Sequence, residues 1–180
     1  MDTIRCIKTR RSIRRFTDEP ITAEQIARVV SAAAYAPSWK NSQTTRYTAV
    51  VDPELKQCLA RECMMGFSHN EGITKGAPAL IVVRTVEGRS GYERDGSPTT
   101  SKGSHWQSFD AGIASATFCL AAHELGLGTV IMGIFDEKKV ASLLGLSEGE
   151  SVSALIALGH PDEEPDTPKK KNVEDLLEIR

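Results

Sequence analysis

From Ala111 to Ala122 the chain carries no charged side chain, and no other stretch constrains the fold as much. Apolar and small residues (Ile113, Ala114, Ala116, Phe118, Leu120, Ala121, Ala122) would cover every side of a helix running from about Ser104 to Leu125. A helix apolar all round has no face to give to water and must be surrounded by protein. A chain of 180 residues can bury a real core, but can hardly also enclose such a helix. A second copy packed along it, a homodimer, is the economical expectation. A central helix in a monomeric core is the alternative.

The length suits a single domain over residues 1–180. Hydrophobic residues at 40% and charged residues at 26% are ordinary for a globular protein. A net charge of −2 gives no electrostatic reason to expect nucleic acid or a membrane as partner. Cys6, Cys58, Cys63 and Cys119 form neither a CxxC pair nor a disulfide framework, and Cys58 and Cys63, five apart, have no histidine at ligand spacing. Reduced thiols and a cytoplasmic protein without bound metal are expected. The segment Met1-Asp2-Thr3-Ile4-Arg5 has no apolar run of signal-peptide type, and nothing approaches membrane-spanning length.

Asp2 can cap a first helix to about Arg11, and Thr22 with Gln25 has capping-box spacing before a second that Pro37 ends. Tyr47 to Val51 reads as a strand, and Asp52-Pro53 opens a third helix. Ala79 to Val83 is an apolar run of central-strand length. Residues 87–104, rich in Gly, Ser and Thr, predict a mobile, lid-like loop. After Gly126 and Gly128 come a strand from Thr129 to Met132, a helix capped by Asp136, and a strand from Val152 to Leu158. A C-terminal arm over about 161–180 ends in a helical turn from Asn172. Strands alternating with helices indicate α+β or α/β.

Three polar constellations could carry function. Lys8 and Arg10-Arg11-Ser12-Ile13-Arg14-Arg15-Phe16 set guanidinium forks around a serine, donors that match phosphate oxygens. Basic residues also favour helix C-termini, so the cluster alone admits a structural reading. Lys169-Lys170-Lys171 alone reads as a solvated tail. The loop Ala36-Pro37-Ser38-Trp39-Lys40-Asn41-Ser42-Gln43 concentrates hydroxyl and amide groups suited to a heterocycle edge, or forms a polar turn. No Walker loop or GxGxxG accompanies them. His105, Ser108 and Asp110 imitate a hydrolytic triad in composition but cannot converge from one helix. Cys58 and Cys63 lie about 140° apart around a helix, which disfavours a bridge. Trp39 and Trp106, beside the polar and flexible loops, could flank a planar substrate or simply pack.

Taken in order, these pieces resemble the nitroreductase family. The resemblance rests on RRSxRxF (Arg10 to Phe16), APSxxNxQ (Ala36 to Gln43), the uncharged helix, GLGT (Gly126 to Thr129), Gly133 and the basic PK-rich C-terminal segment. It implies an α+β, three-layer α/β/α fold with a mostly antiparallel central sheet and the long helix at a dimer interface. It implies bound FMN, reduced by NAD(P)H, that passes hydride from N5 to a nitroaromatic, quinone, enone or flavin, with no side chain as acid or base. Arg10, Arg11 and Ser12 would hold the phosphate and ribityl chain, and Arg14 would reach the N1–C2 carbonyl side. Pro37, Ser38, Asn41 and Gln43 would come from the other subunit. Met132 and Gly133 would line the ring near N5, and Lys169 and Lys171 would close on the phosphate. Thr44 stands where the family commonly has proline, and Lys169 and Lys171 where an arginine is frequent. Asn70 and Lys75 are further possible contacts without a secure place in the motif. Other flavin chemistry (dehalogenation, desaturation, flavin breakdown) and non-catalytic FMN binding are the alternatives.

Overall fold

The computed structural model describes residues 2–180. The first helix, α1 (Thr3–Thr9), starts where the Asp2 carboxylate accepts the Arg5 N–H at 2.9 Å. It stops two residues short of the expected Arg11. Residues 11–13 leave the helix because their backbone pairs with the sheet edge instead, Ile13 N–H donating to the Thr129 carbonyl at 2.9 Å. Both halves of the capping box of α2 (Ala23–Ala33) form, at 3.1 and 2.8 Å between Thr22 and Gln25. Asp52 caps α3 (Pro53–Cys63) and Asp136 caps α6 (Glu137–Leu144). Between them lie α4 (Ser68–Gly76) and the long α5 (His105–Glu124). The short α4 was not expected: Gly72 interrupts its periodicity and Phe67 caps it with no side-chain bond.

Four strands, β1 (Thr45–Val50), β2 (Ala79–Val86), β3 (Gly128–Met132) and β4 (Glu150–Gly159), form one antiparallel sheet in the order β1-β2-β4-β3. The continuously apolar β2 is central, as its pattern requires. Leu80, Val82, Val130, Met132 and Leu155 face Leu59 of α3, Ile73 of α4 and Val140 of α6. On the other face Ile81, Val83, Ile156 and Leu158 meet Val29 of α2 and Phe118, Cys119 and Ala122 of α5. The result is three layers, helix on sheet on helix.

The chain itself covers only one side of α5. Ala111, Ala114, Phe118 and Ala122 are buried, whereas Phe109 is 59% exposed and Gly112 and Ala116 also face out. Residues 87–104 close on themselves, Thr99 N–H reaching the Gly91 carbonyl and Glu93 N–H the Ser97 carbonyl, both at 2.9 Å. The segment 160–163 runs beside residues 14–17, so the arm starts against the basic cluster. Among the described residues no helix is long and apolar enough to cross a membrane.

Candidate functional site

Once the chain leaves α1 it is extended, and extended chain sends alternate side chains to opposite sides. Ile13 goes inward, 8% exposed, onto Gly128, where an added Cβ would sit 2.9 Å from the Ile13 side chain. Arg10 and Ser12 line a cavity of about 390 Å³ with Cys119, Leu120, Thr129 and Ile131. Arg14 lines the next, about 250 Å³, with Asn70, Ile131, Met132 and Gly133. The two share Ile131, so they form one trough along the outer edge of β3. Three sequence motifs, RRSxR, GLGT and the Met132-Gly133 pair, meet there because the basic segment pairs with β3.

The trough is positive. Glu163 offsets part of the charge, its Oε1 accepting the Arg14 N–H at 2.5 Å and the Arg15 N–H at 3.3 Å. Arg11 turns the other way: its Nη1 donates to the Lys8 carbonyl at 2.7 Å and its Nη2 to Thr167 Oγ1. It thus closes the C-terminus of α1, the structural role a cation has there, and it ties the arm to the cluster two residues before Lys169. Lys169 and Lys171 themselves are exposed. His123 Nε2 lies 2.8 Å from Thr9 Oγ1; burial and then the Arg10 charge hold its pKa below the ordinary value. Burial pushes the Cys119 thiol up, with a hydrogen bond to Thr129 opposing.

Pro37, Ser38 and Gln43 line a different cavity, of about 380 Å³, between α2, β1 and the N-terminal half of α5. Their loop is held rigidly. Gln43 N–H donates to Ser38 Oγ at 2.9 Å, and the Trp39 N–H donates to both oxygens of Asp110 at 3.1 and 3.0 Å. Lys40, Asn41 and Gln43 all take left-handed φ of 44°, 53° and 48°. Such conformations in non-glycine residues persist only where their surroundings impose them, and they gather at functional sites. Asn41 is exposed at the tip. Trp39 packs on Trp106 with ring centroids 4.7 Å apart.

The expected site residues therefore form two groups. Arg10, Ser12, Arg14, Met132 and Gly133 converge on the β3 trough, with Arg11, Lys169 and Lys171 at or beyond its rim. Pro37, Ser38, Asn41 and Gln43 belong to the other end of α5. Asp110 and Cys119 are roughly 14 Å apart along that helix, at 1.5 Å per residue. The structure also places Thr129, 2% exposed, and Asn70, 6% exposed, in the trough. Asn70 donates to the Ile134 carbonyl at 3.1 Å, whereas Lys75 pairs with Glu71 on its own helix. That i,i+4 pair was the one sequence sign of α4, the helix that carries Asn70.

Comparison with known proteins bears on this geometry. A model described as the nitroreductase family matches residues 7–160. The NADPH-flavin oxidoreductase of Vibrio harveyi is 32% identical over 172 residues, covering 92% of this chain and 68% of that protein. A nitroreductase family protein from Streptococcus pneumoniae superposes with a TM-score of 0.86 over 99% of this chain and 100% of its own, at 21% identity. A structure from Desulfovibrio desulfuricans solved in complex with FMN gives a TM-score of 0.76 at 28% identity, covering 100% and 98%.

Proposed function

The chain belongs to the nitroreductase family, and from that premise we propose that it is an FMN-dependent oxidoreductase that moves hydride from NAD(P)H to a small electron-poor acceptor. Nitroaromatics, quinones, enones and free flavins share the required acceptor chemistry. The observation that carries the reading is the trough along β3, with Arg10, Ser12 and Arg14 in a row beside Met132 and Gly133. The residues fit the group. An added Cβ at Gly133 would meet nothing within 4 Å, so the ground beside it is open to a flat ring. The guanidinium and hydroxyl donors suit a phosphate and a polyol.

In this reading Arg10 and Ser12 hold the phosphate and ribityl chain, while Arg11, engaged at the end of α1, tethers the arm from which Lys169 and Lys171 close on them. Arg14 sets a positive charge where negative charge gathers on reduction, which favours the reduced form. Met132 and Gly133 flank the ring. FMN, when bound, supplies hydride transfer at N5, so no side chain need serve as acid or base.

Pro37, Ser38, Asn41 and Gln43 then serve the partner's site in a homodimer. Two facts support that division: the loop lies at the opposite end of α5 from the trough, and the outward face of α5 is apolar, with Phe109, Ile113, Ala116 and Leu120. A two-fold pairing across this face carries the loop of one protomer toward the trough of the other. Residues 87–104 would border the acceptor's path, since Lys40 pairs with Glu93 at 3.2 Å and joins them to the loop. A cytoplasmic setting accords with four free cysteines.

The visible spectrum of the purified protein tests the reading. It should show bound flavin, or acquire it when FMN is added. A colourless protein that FMN cannot turn yellow would defeat the proposal. FMN-loaded protein that oxidises neither NADH nor NADPH in the presence of a quinone or nitro compound would leave a binding protein instead.

A further inference from the structure

The geometry points to Asp110 as a positioning residue, fixed on the interface helix α5, that sets the conformation of the loop each protomer offers to its partner's site. The inference rests on the functional reading above for the loop's role, but not for its structure. Asp110 stands next to the uncharged stretch of α5 and is 3% exposed. A carboxylate buried there is costly unless its lone pairs are used. They are used on one element only: the Trp39 N–H reaches both oxygens, and Ser42 Oγ lies 3.5 Å from Oδ2.

Between those two anchors lie Lys40 and Asn41, and just beyond them Gln43, three of the four non-glycine residues with left-handed φ among the described residues. Besides these anchors the loop has its own bonds (Asn41 N–H to the Ser38 carbonyl, Ser42 N–H to the Trp39 carbonyl and Gln43 N–H to Ser38 Oγ) and two outside holds, Arg46 Nη1 donating to the Gln43 carbonyl at 2.7 Å and the exposed Lys40–Glu93 pair, neither of which reaches the backbone of Trp39, Lys40 or Asn41. Trp106, one turn before Asp110 on the same helix face, adds a second grip through the Trp39 ring. The Ser38 hydroxyl accepts from Gln43, which leaves its own proton to donate outward. Ser38, Asn41 and Gln43 are thus aimed by a helix whose other face meets the partner. Docking of the two α5 helices and presentation of the loop become one geometric event.

Substitution of Asp110 provides the test, read in two independent ways. Two indole rings 4.7 Å apart and inclined at 47° couple electronically, so the apoprotein's near-ultraviolet circular dichroism reports the Trp39–Trp106 pair, with Trp39→Phe as the reference for its loss. FMN affinity is measured separately by quenching of flavin fluorescence. In Asp110→Ala the pair signal should collapse toward that of Trp39→Phe, and FMN should bind about tenfold or more weakly, the worth of one charge-assisted contact. Asp110→Asn, which keeps the shape and one acceptor, should fall between wild type and Asp110→Ala on both readouts. It carries the test if Asp110→Ala does not fold. An unchanged pair signal in Asp110→Asn and in any folded Asp110→Ala overturns the positioning role. A lost signal with FMN affinity within twofold of wild type overturns the link to the partner's site. If wild-type protein binds no FMN, the functional reading fails, while the circular dichroism still decides whether Asp110 sets the loop.

Discussion

At the scale of single residues, burial decides which side chains are chemically available. Cys6, Cys63 and Cys119 are buried, and burial raises all three thiols, Cys63 to about 11. Thiolate is the reactive form, so these three are both shielded and protonated at neutral pH. Cys58 is the one cysteine with partial access. Native protein treated with a disulfide reagent at pH 8 should therefore release one fast equivalent, which Cys58→Ser removes; two or more fast equivalents would contradict this ordering. The residue types of the β3 trough were legible beforehand, because arginine, serine and glycine at fixed spacing have few common uses. What composition could not show was the direction of each side chain. Arg10, Ser12 and Arg14 share a side only because the segment is extended, and Arg11, equal to them in sequence, is turned onto the end of α1.

At the scale of elements, one glycine joins two motifs. Gly126, with φ of +76°, stops α5, and two residues on Gly128 lets Ile13 approach the start of β3. A methyl group at position 128 would press on the branched Ile13 side chain and push the basic segment off the strand. Gly128→Ala should cost about 1–3 kcal/mol, the usual toll of overpacking, visible as a lower Tm. It should also weaken FMN binding by displacing Arg10, Ser12 and Arg14 together. Full retention of both would show that the segment's position does not depend on this contact. The caps at Asp2, Thr22, Asp52 and Asp136 could be read from sequence because each is a local bargain between one side chain and the next turn. The helix α4 was not, since glycine at 72 and a cap without a side-chain bond leave little local signal beyond the Glu71–Lys75 spacing, and packing of Ile73 against the sheet supplies what propensity lacks.

At the scale of the molecule, α5 organises everything described above. Its inward face holds the sheet, its N-terminal half grips the loop through Trp106 and Asp110, and its C-terminal half walls the trough through Cys119 and Leu120. Its outward face is apolar and uncovered in the protomer. Gly112→Glu places a charge on that face away from the trough, where an added Cβ meets nothing within 4 Å and a lone protomer can solvate the carboxylate, so the fold should survive with no loss of stability. Sedimentation should then report monomers, and FMN binding should fall with the dimer. A dimer of unaltered affinity would move the interface elsewhere.

The sequence by itself determined that α5 is a helix needing protein on every side, that most helices start where they do, and that a central apolar strand lies in the sheet. Periodicity and capping act within one or two turns, so they survive reading along the chain. Tertiary structure alone decided how the protomer divides the faces of α5, leaving one open. It also decided that Asp110 anchors a loop far from it in sequence, and that the two groups of candidate residues lie at opposite ends of one helix. These outcomes depend on contacts between segments distant in the chain, and no local spacing records those.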